Sequence, residues 1–148
     1  MTNALYNPGR EGFLDATIDW DTAVIKAALV RLTAGGAAVF TATQKFVSDL
    51  TATHTLAATS VALSSKTVTD GIADAADLAP AFAAVTANAN AHVLVLFQAS
   101  AVGGGADVAA SAQRLIAWLD SGTNLPVTPN GGDVNVTWDN GANKIFKL

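Results

Sequence analysis

The chain has 148 residues, no cysteine, a formal charge of −4, and 14% charged against 51% hydrophobic residues. That length suits one domain spanning residues 1–148, able to bury about 68–70% of its unfolded surface without cross-links. Disulfide frameworks and cysteine-ligated metals are excluded, and a weakly acidic balance offers no electrostatic grip on nucleic acid.

Charge this sparse points to a subunit with buried surfaces, although much of the apolar excess is alanine. The longest strongly apolar run, Val93–Phe97, is far shorter than the roughly 20 residues that span a bilayer, so no membrane partner is expected. No basic segment leads into an apolar one near the start, so no secretory signal is expected.

In chain order, Asn7–Leu14 (NPGREGFL) predicts a short helical turn. Pro8 suits its first turn, Asn7 offers a cap, and Phe13 and Leu14 would anchor it on the core. Its glycine spacing matches no phosphate-binding loop. In Thr17–Leu32, Ile18 and Trp20 alternate with Asp19 and Asp21. The part from Thr22 is ambiguous, because alanine favours helix while Val, Ile and Thr favour strand; we read it as strand. Thr33–Gly36 predicts a turn, followed by an apolar patch, Ala38-Val39-Phe40. Gln44–Leu50 predicts one helical turn with Phe46, Val47 and Leu50 on a single face. Thr51–Thr69 is rich in Thr, Ala and Ser, with Leu56, Val61, Leu63 and Val68 as its apolar pins.

Asp70–Asp77 is the densest acidic cluster. Its carboxylates, Asp70, Asp74 and Asp77, lack the alternating spacing and distal Glu of a calcium loop, and read as a solvated loop or caps. Pro80 argues against a continuous helix through Phe82. Ala91–Phe97 is a strand candidate apolar enough to be covered on both faces. His92 leads it, and His54 lies in a distant polar stretch. Neither histidine sits in a nucleophile–histidine–carboxylate arrangement, so no catalytic, metal or cofactor site is expected. Gly103–Gly105 predicts a flexible loop or hairpin tip. Residues 107–120 allow two readings. One is a helix capped by Asp107 and ended by Gly122. The other is a loop followed by a strand over Gln113–Asp120, with Leu115, Ala117 and Leu119 on one face and Ile116 and Trp118 on the other.

In the last third, Val134, Val136 and Trp138 alternate with Asn135 and Thr137, as a half-buried strand requires. Asn130-Gly131-Gly132 and Asp139-Asn140-Gly141 carry hairpin-turn chemistry, and Pro126 and Pro129 mark a loop or an edge. Lys144–Leu148 ends the chain on a strand-like apolar run. Ile145, Phe146 and Leu148 are its large side chains and the candidate interaction residues, acting through the fold.

The pattern of Leu115–Asp120, Gly122, Leu125–Asp133, Trp138–Gly141 and Asn143–Leu148 resembles a family of small tailed-bacteriophage virion proteins of the head decoration or cement kind. Asn3–Asn7 with Gly9-Arg10-Glu11, Ile18-Asp19-Trp20 and Phe46–Leu50 are similar as well, so the likeness touches both ends of the chain. Between Ala34 and Ala112 the sequence departs from that pattern, being rich in Ala and Thr. The resemblance implies an all-β fold, a β-sandwich or jelly-roll-like body with a short N-terminal helical turn. It also tips residues 107–120 toward the strand. It implies a structural, non-enzymatic role on the capsid exterior, assembled in the host cytoplasm, with the major capsid protein lattice as partner and self-association into a homo-oligomer. Two other classes stand beside it. One is a tail or head–tail connector subunit. The other is a carbohydrate-binding or enzymatic β-sandwich, which would show Trp20, Trp118 or Trp138 on an exposed polar face.

Overall fold

The computed structural model describes residues 3–32 and 40–148, so the predicted turn at Thr33–Gly36 and the patch residues Ala38 and Val39 lie outside the described residues. The fold is all-β. Its main sheet is antiparallel throughout, in the order β1 (Ala4–Leu5), β10 (Arg114–Leu119), β7 (His92–Gln98), β2 (Ile25–Arg31) and β3 (Thr55–Thr59). Two smaller sheets form the second layer: β11 (Val134–Val136) with β6 (Leu78–Phe82), and β12 (Phe146–Lys147) with β5 (Ile72–Asp74) and β4 (Thr67–Thr69). A hairpin of β8 (Ser100–Ala101) and β9 (Gly104–Asp107) continues from the end of β7. Two helices complete the description, α1 (Asn7–Leu14) and α2 (Val47–Thr51).

Within the ambiguous Thr22–Leu32 run, Ile25–Arg31 resolves as strand because both of its faces are buried, while Thr22 and Ala23 belong to the turn before it. β2 and β7 pair without interruption from Ile25↔Gln98 to Arg31↔His92. Ile25, Ala27, Leu29, Leu94 and Leu96 meet Phe82, Val136 and Phe146 of the second layer. On the opposite face Val30, Val95, Phe97 and Trp118 are covered by Tyr6 and by Val47 and Leu50 of α2. A strand covered on both sides has no polar face to keep, which is why β7 is buried at every residue and reads as an unbroken apolar run.

Residues 114–119 are strand rather than helix, but their faces differ from strict alternation. Leu115 pairs with Phe97 and Ala117 with Leu96, so Ile116 is an extra residue in the ladder. This bulge shifts the parity of the strand by one. Leu115 and Trp118 therefore share one core, while Ile116, Ala117 and Leu119 share the other. The Ile116 carbonyl accepts the Tyr6 N–H at 3.0 Å. Helix α1 lies against the same point, where a Cβ on Gly9 would stand 2.8 Å from the Leu115 carbonyl oxygen and 3.0 Å from that of Ile116. Only glycine permits this approach.

Several expected anchors are placed differently. The N-cap of α1 is Tyr6 and makes no side-chain capping bond, so Asn7 does not cap the helix. Phe13 packs on the core, but Leu14 is 90% exposed, because an eight-residue helix lying on a sheet buries only one stripe. In α2, Val47 and Leu50 are buried as expected and Phe46 is half-buried, while Asp49 Oδ2 accepts the N–H groups of Lys45 and Phe46 at 2.9 Å each. Among the pins of Thr51–Thr69, Leu63 is buried and Leu56 half-buried, whereas Val61 and Val68 face solvent.

The three C-terminal runs do not pair with one another. β10 joins β1 and β7, β11 joins β6, and β12 joins β5. Removing β12 would therefore open the edge of β5, not that of β11. Turn residues permit a reversal, but the partner is chosen by which edge lies against the shared core. The tight hairpin forms instead at Asp70-Gly71, between β4 and β5, with φ of 53° and 76°. Positive φ at both central residues is the signature of a type I′ turn, so Asp70 serves backbone geometry.

Two outcomes are expected. Gly9→Ala should lower unfolding stability by about 1–3 kcal/mol, measured by urea titration, because the clash is with backbone that cannot rotate away. Phe146→Ala should cost about 3–5 kcal/mol, and deletion of Lys144–Leu148 should lower the melting temperature of the isolated protein. An unchanged melting temperature after the deletion would contradict the placement of β12.

Candidate interaction surface

Ile145 and Phe146 are buried, at 6% and 8% exposure, whereas Leu148 is 56% exposed. The candidate interaction residues thus divide between the core and the surface. The Phe146 ring meets Trp20 edge-on at 5.2 Å between centroids, and Phe13 at 5.8 Å. Val68, Val102 and Leu148 stand around these three rings, each more than a third exposed. Together they line a depression of about 300 Å³ with an aromatic floor and an aliphatic rim.

Each rim residue is held by a specific local device. Val68 sits opposite Ala73 in the β4–β5 hairpin. The Leu148 N–H donates to the Gly71 carbonyl at 2.9 Å, which ties the last residue to that turn. Val102 is at the tip of the β8–β9 hairpin, so the glycine-rich stretch is a tip docked on the body. The Thr22 hydroxyl donates to the Val102 carbonyl at 2.9 Å. Gly104, at φ +84°, lies so close that a Cβ would be 2.8 Å from the Thr22 carbonyl oxygen.

The charged part of the rim is built by residues 19–22. Asp19 Oδ1 accepts the N–H groups of Asp21 at 2.9 Å and Thr22 at 3.1 Å. The Thr22 amide is the main cause holding the Asp19 carboxyl below its ordinary pKa. Nearby, Lys66 donates to the Ala23 carbonyl. Burial draws the Lys66 pKa down, opposed by the charges of Asp21 and Asp19. An apolar centre bounded by charge has the anatomy of a protein interface, and clustered exposed aliphatic side chains mark such surfaces more often than chance.

The other sequence candidates have local structural partners. Asp74 Oδ2 lies 3.6 Å from Lys144 Nζ, and Asp77 Oδ1 accepts the Trp138 N–H at 2.9 Å. Among the described residues, no three of His, Asp or Glu gather in a way that could hold a metal ion. His92 is buried with Nδ1 2.9 Å from the Asn90 carbonyl oxygen, and His54 Nδ1 lies 2.7 Å from Thr53 Oγ1. All three tryptophans are buried. The indole N–H of Trp20 donates to the Asp74 carbonyl, that of Trp118 to Asp120 Oδ2, and that of Trp138 to the Ala76 carbonyl. None stands on the exposed polar face that sugar stacking requires. No helix among the described residues is long and apolar enough to cross a membrane.

Sequence reasoning placed Val68 inside and did not single out Val102. The available signal for Val68 was its position as the lone apolar residue of Thr67-Val68-Thr69, two residues before an Asp-Gly turn. The chain matches no family model, no curated protein and no solved structure.

The histidines carry a pH expectation. Desolvation by burial lowers the pKa of both His54 and His92 from the ordinary 6.5. The folded state therefore favours neutral rings, while the unfolded chain takes up protons first as pH falls. Their contribution to stability is complete above 6.5 and is lost as pH falls through the lower folded values. Melting temperature should decline between about pH 7 and pH 5. The double substitution His54→Gln, His92→Gln should flatten that decline.

Proposed function

We propose that this chain is a structural virion protein, a capsid decoration or cement protein that binds the outside of a phage head shell. The observation that carries the reading is the depression rimmed by Val68, Val102 and Leu148 over Phe13, Trp20 and Phe146. The resemblance of both chain ends to small virion proteins supports it, as does a chain with only 14% charged residues. The mechanism needs no chemical step. Val68 and Leu148 are about half exposed, and covering each contributes roughly 1 kcal/mol. A lattice repeats that contact many times, so modest contacts combine into stable retention if one molecule engages several sites.

The test uses purified particles of the phage that carries this chain. A decoration protein should be present in hundreds of copies, on the order of one per shell site or symmetry axis; six or twelve copies would instead indicate a tail or connector subunit. The substitutions Val68→Asp and Leu148→Asp touch exposed positions and should change stability by no more than about 0.5 kcal/mol each. They should weaken binding to shells stripped of this protein by at least about tenfold. Unchanged binding by a folded double variant would reject this surface.

A further inference from the structure

The main sheet ends on β3, which has a strand neighbour, β2, on one side only. Free edges are normally kept from pairing by brevity, charge, proline or a bulge. Among the described residues, the edge strands β1, β4, β8, β9, β11 and β12 have two to four residues each, and five-residue β6 contains Pro80. β3 has five residues and no proline. Between Asp49 and Lys66 the chain carries no Asp, Glu, Lys or Arg. Thr55, Ala57 and Thr59 are exposed, and Val61, just beyond, is 66% exposed.

The register identifies the free backbone groups. Along an antiparallel strand, successive residues bond to one neighbour and then the other. Beside and within β2 the odd-numbered residues face β3: the Ser60 N–H donates to the Ala27 carbonyl and the Leu63 N–H to the Ile25 carbonyl, at 2.8 Å each. The even-numbered ones face β7, as the Leu32 N–H does in donating to the Ala91 carbonyl. Ala58 stands opposite Leu29 and Thr55 opposite Arg31, so both turn inward. Leu56 and Thr59, opposite Val30 and Ala28, turn their N–H and C=O groups outward. Ala57 is an extra residue between them.

That bulge gives the edge its own twist and its own spacing of free groups. A second copy, turned antiparallel about a two-fold axis, carries the same twist and the same spacing. Leu56 then meets Thr59 of the copy, Thr59 meets Leu56, and the two alanines meet between them. No charged side chain lies within the strand to oppose its own image. The nearest cation, Arg31, donates to the Thr55 hydroxyl at 3.1 Å, at one end of the strand. The antiparallel arrangement puts the two Arg31 side chains at opposite ends, roughly 13 Å apart along the axis. That exceeds the screening length of about 8 Å at physiological salt.

We infer that this chain self-associates through β3, two copies joining their main sheets into one continuous antiparallel sheet. The contact is isologous and uses up the edge, so it closes at two copies. It rests on the β3 edge alone; the depression around Val68, Val102 and Leu148 plays no part, so either reading can fail without the other.

The test is sedimentation equilibrium of the full chain from about 1 μM to about 1 mM, with amide hydrogen exchange at both extremes. The expected result is a monomer–dimer equilibrium. Protection of the Leu56 and Thr59 amides should rise with concentration, while that of the inward Ala58 amide stays constant. Thr59→Pro removes an outward donor without touching the bonds to β2, and should weaken the dimer at least about tenfold. Ala57→Lys, at an exposed side chain, places two like charges beside the two-fold axis and should do the same. Thr69→Lys, on the β4 edge, should leave the dimer intact. Far-UV circular dichroism checks that each variant is folded. A monomer at every concentration, a dimer that survives both β3 variants in folded form, or loss of the dimer in Thr69→Lys would overturn the proposal. So would protection that rises at amides other than those of β3.

Discussion

The structure depends on the pairing of β7 with β2 on one side and β10 on the other, in the middle of a sheet covered on both faces. Backbone groups there have no access to water, so the ladder must be complete. Every residue of β7 from His92 to Gln98 is buried. The remaining elements take the positions that cover one face or the other: the two small sheets on the first, Tyr6 and α2 on the second.

The ends of the chain close this arrangement. Near the N-terminus, Asn3 Oδ1 accepts the N–H groups of Asp120 and Ser121 at 3.0 Å each, finishing the end of β10. Tyr6 and Gly9 then lock onto the bulge at Ile116. At the C-terminus, Phe146 binds the second layer to the N-terminal segment through Trp20 and Phe13. It also forms part of the floor of the apolar depression. The candidate surface thus lies where distant parts of the chain meet, which couples its shape to the integrity of the core.

Free strand edges are normally kept short to prevent unwanted pairing. β1 has two residues, β12 two and β11 three. That brevity limits open-ended growth.

Much of the secondary structure was legible from local pattern. The unbroken apolar run of β7, the alternation that makes Val134–Val136 a strand and the proline-started α1 each follow from side-chain period and backbone preference within a few residues, although the strand stops at Val136, short of Trp138. Of the candidate surface, Phe146 and Leu148 were legible, through their place in the apolar C-terminal run. Tertiary structure alone decided three things. It chose strand partners, because periodicity says which face is apolar but not which edge will cover it; β12 accordingly joined β5. It set the faces of β10, because one extra residue at Ile116 reverses the parity that alternation predicts. And it left Val68 outside: in β4 Thr67, Val68 and Thr69 are all exposed, since no further layer covers that edge strand. Local sequence determines what each segment could bury, and only the assembled sheets determine what covers it.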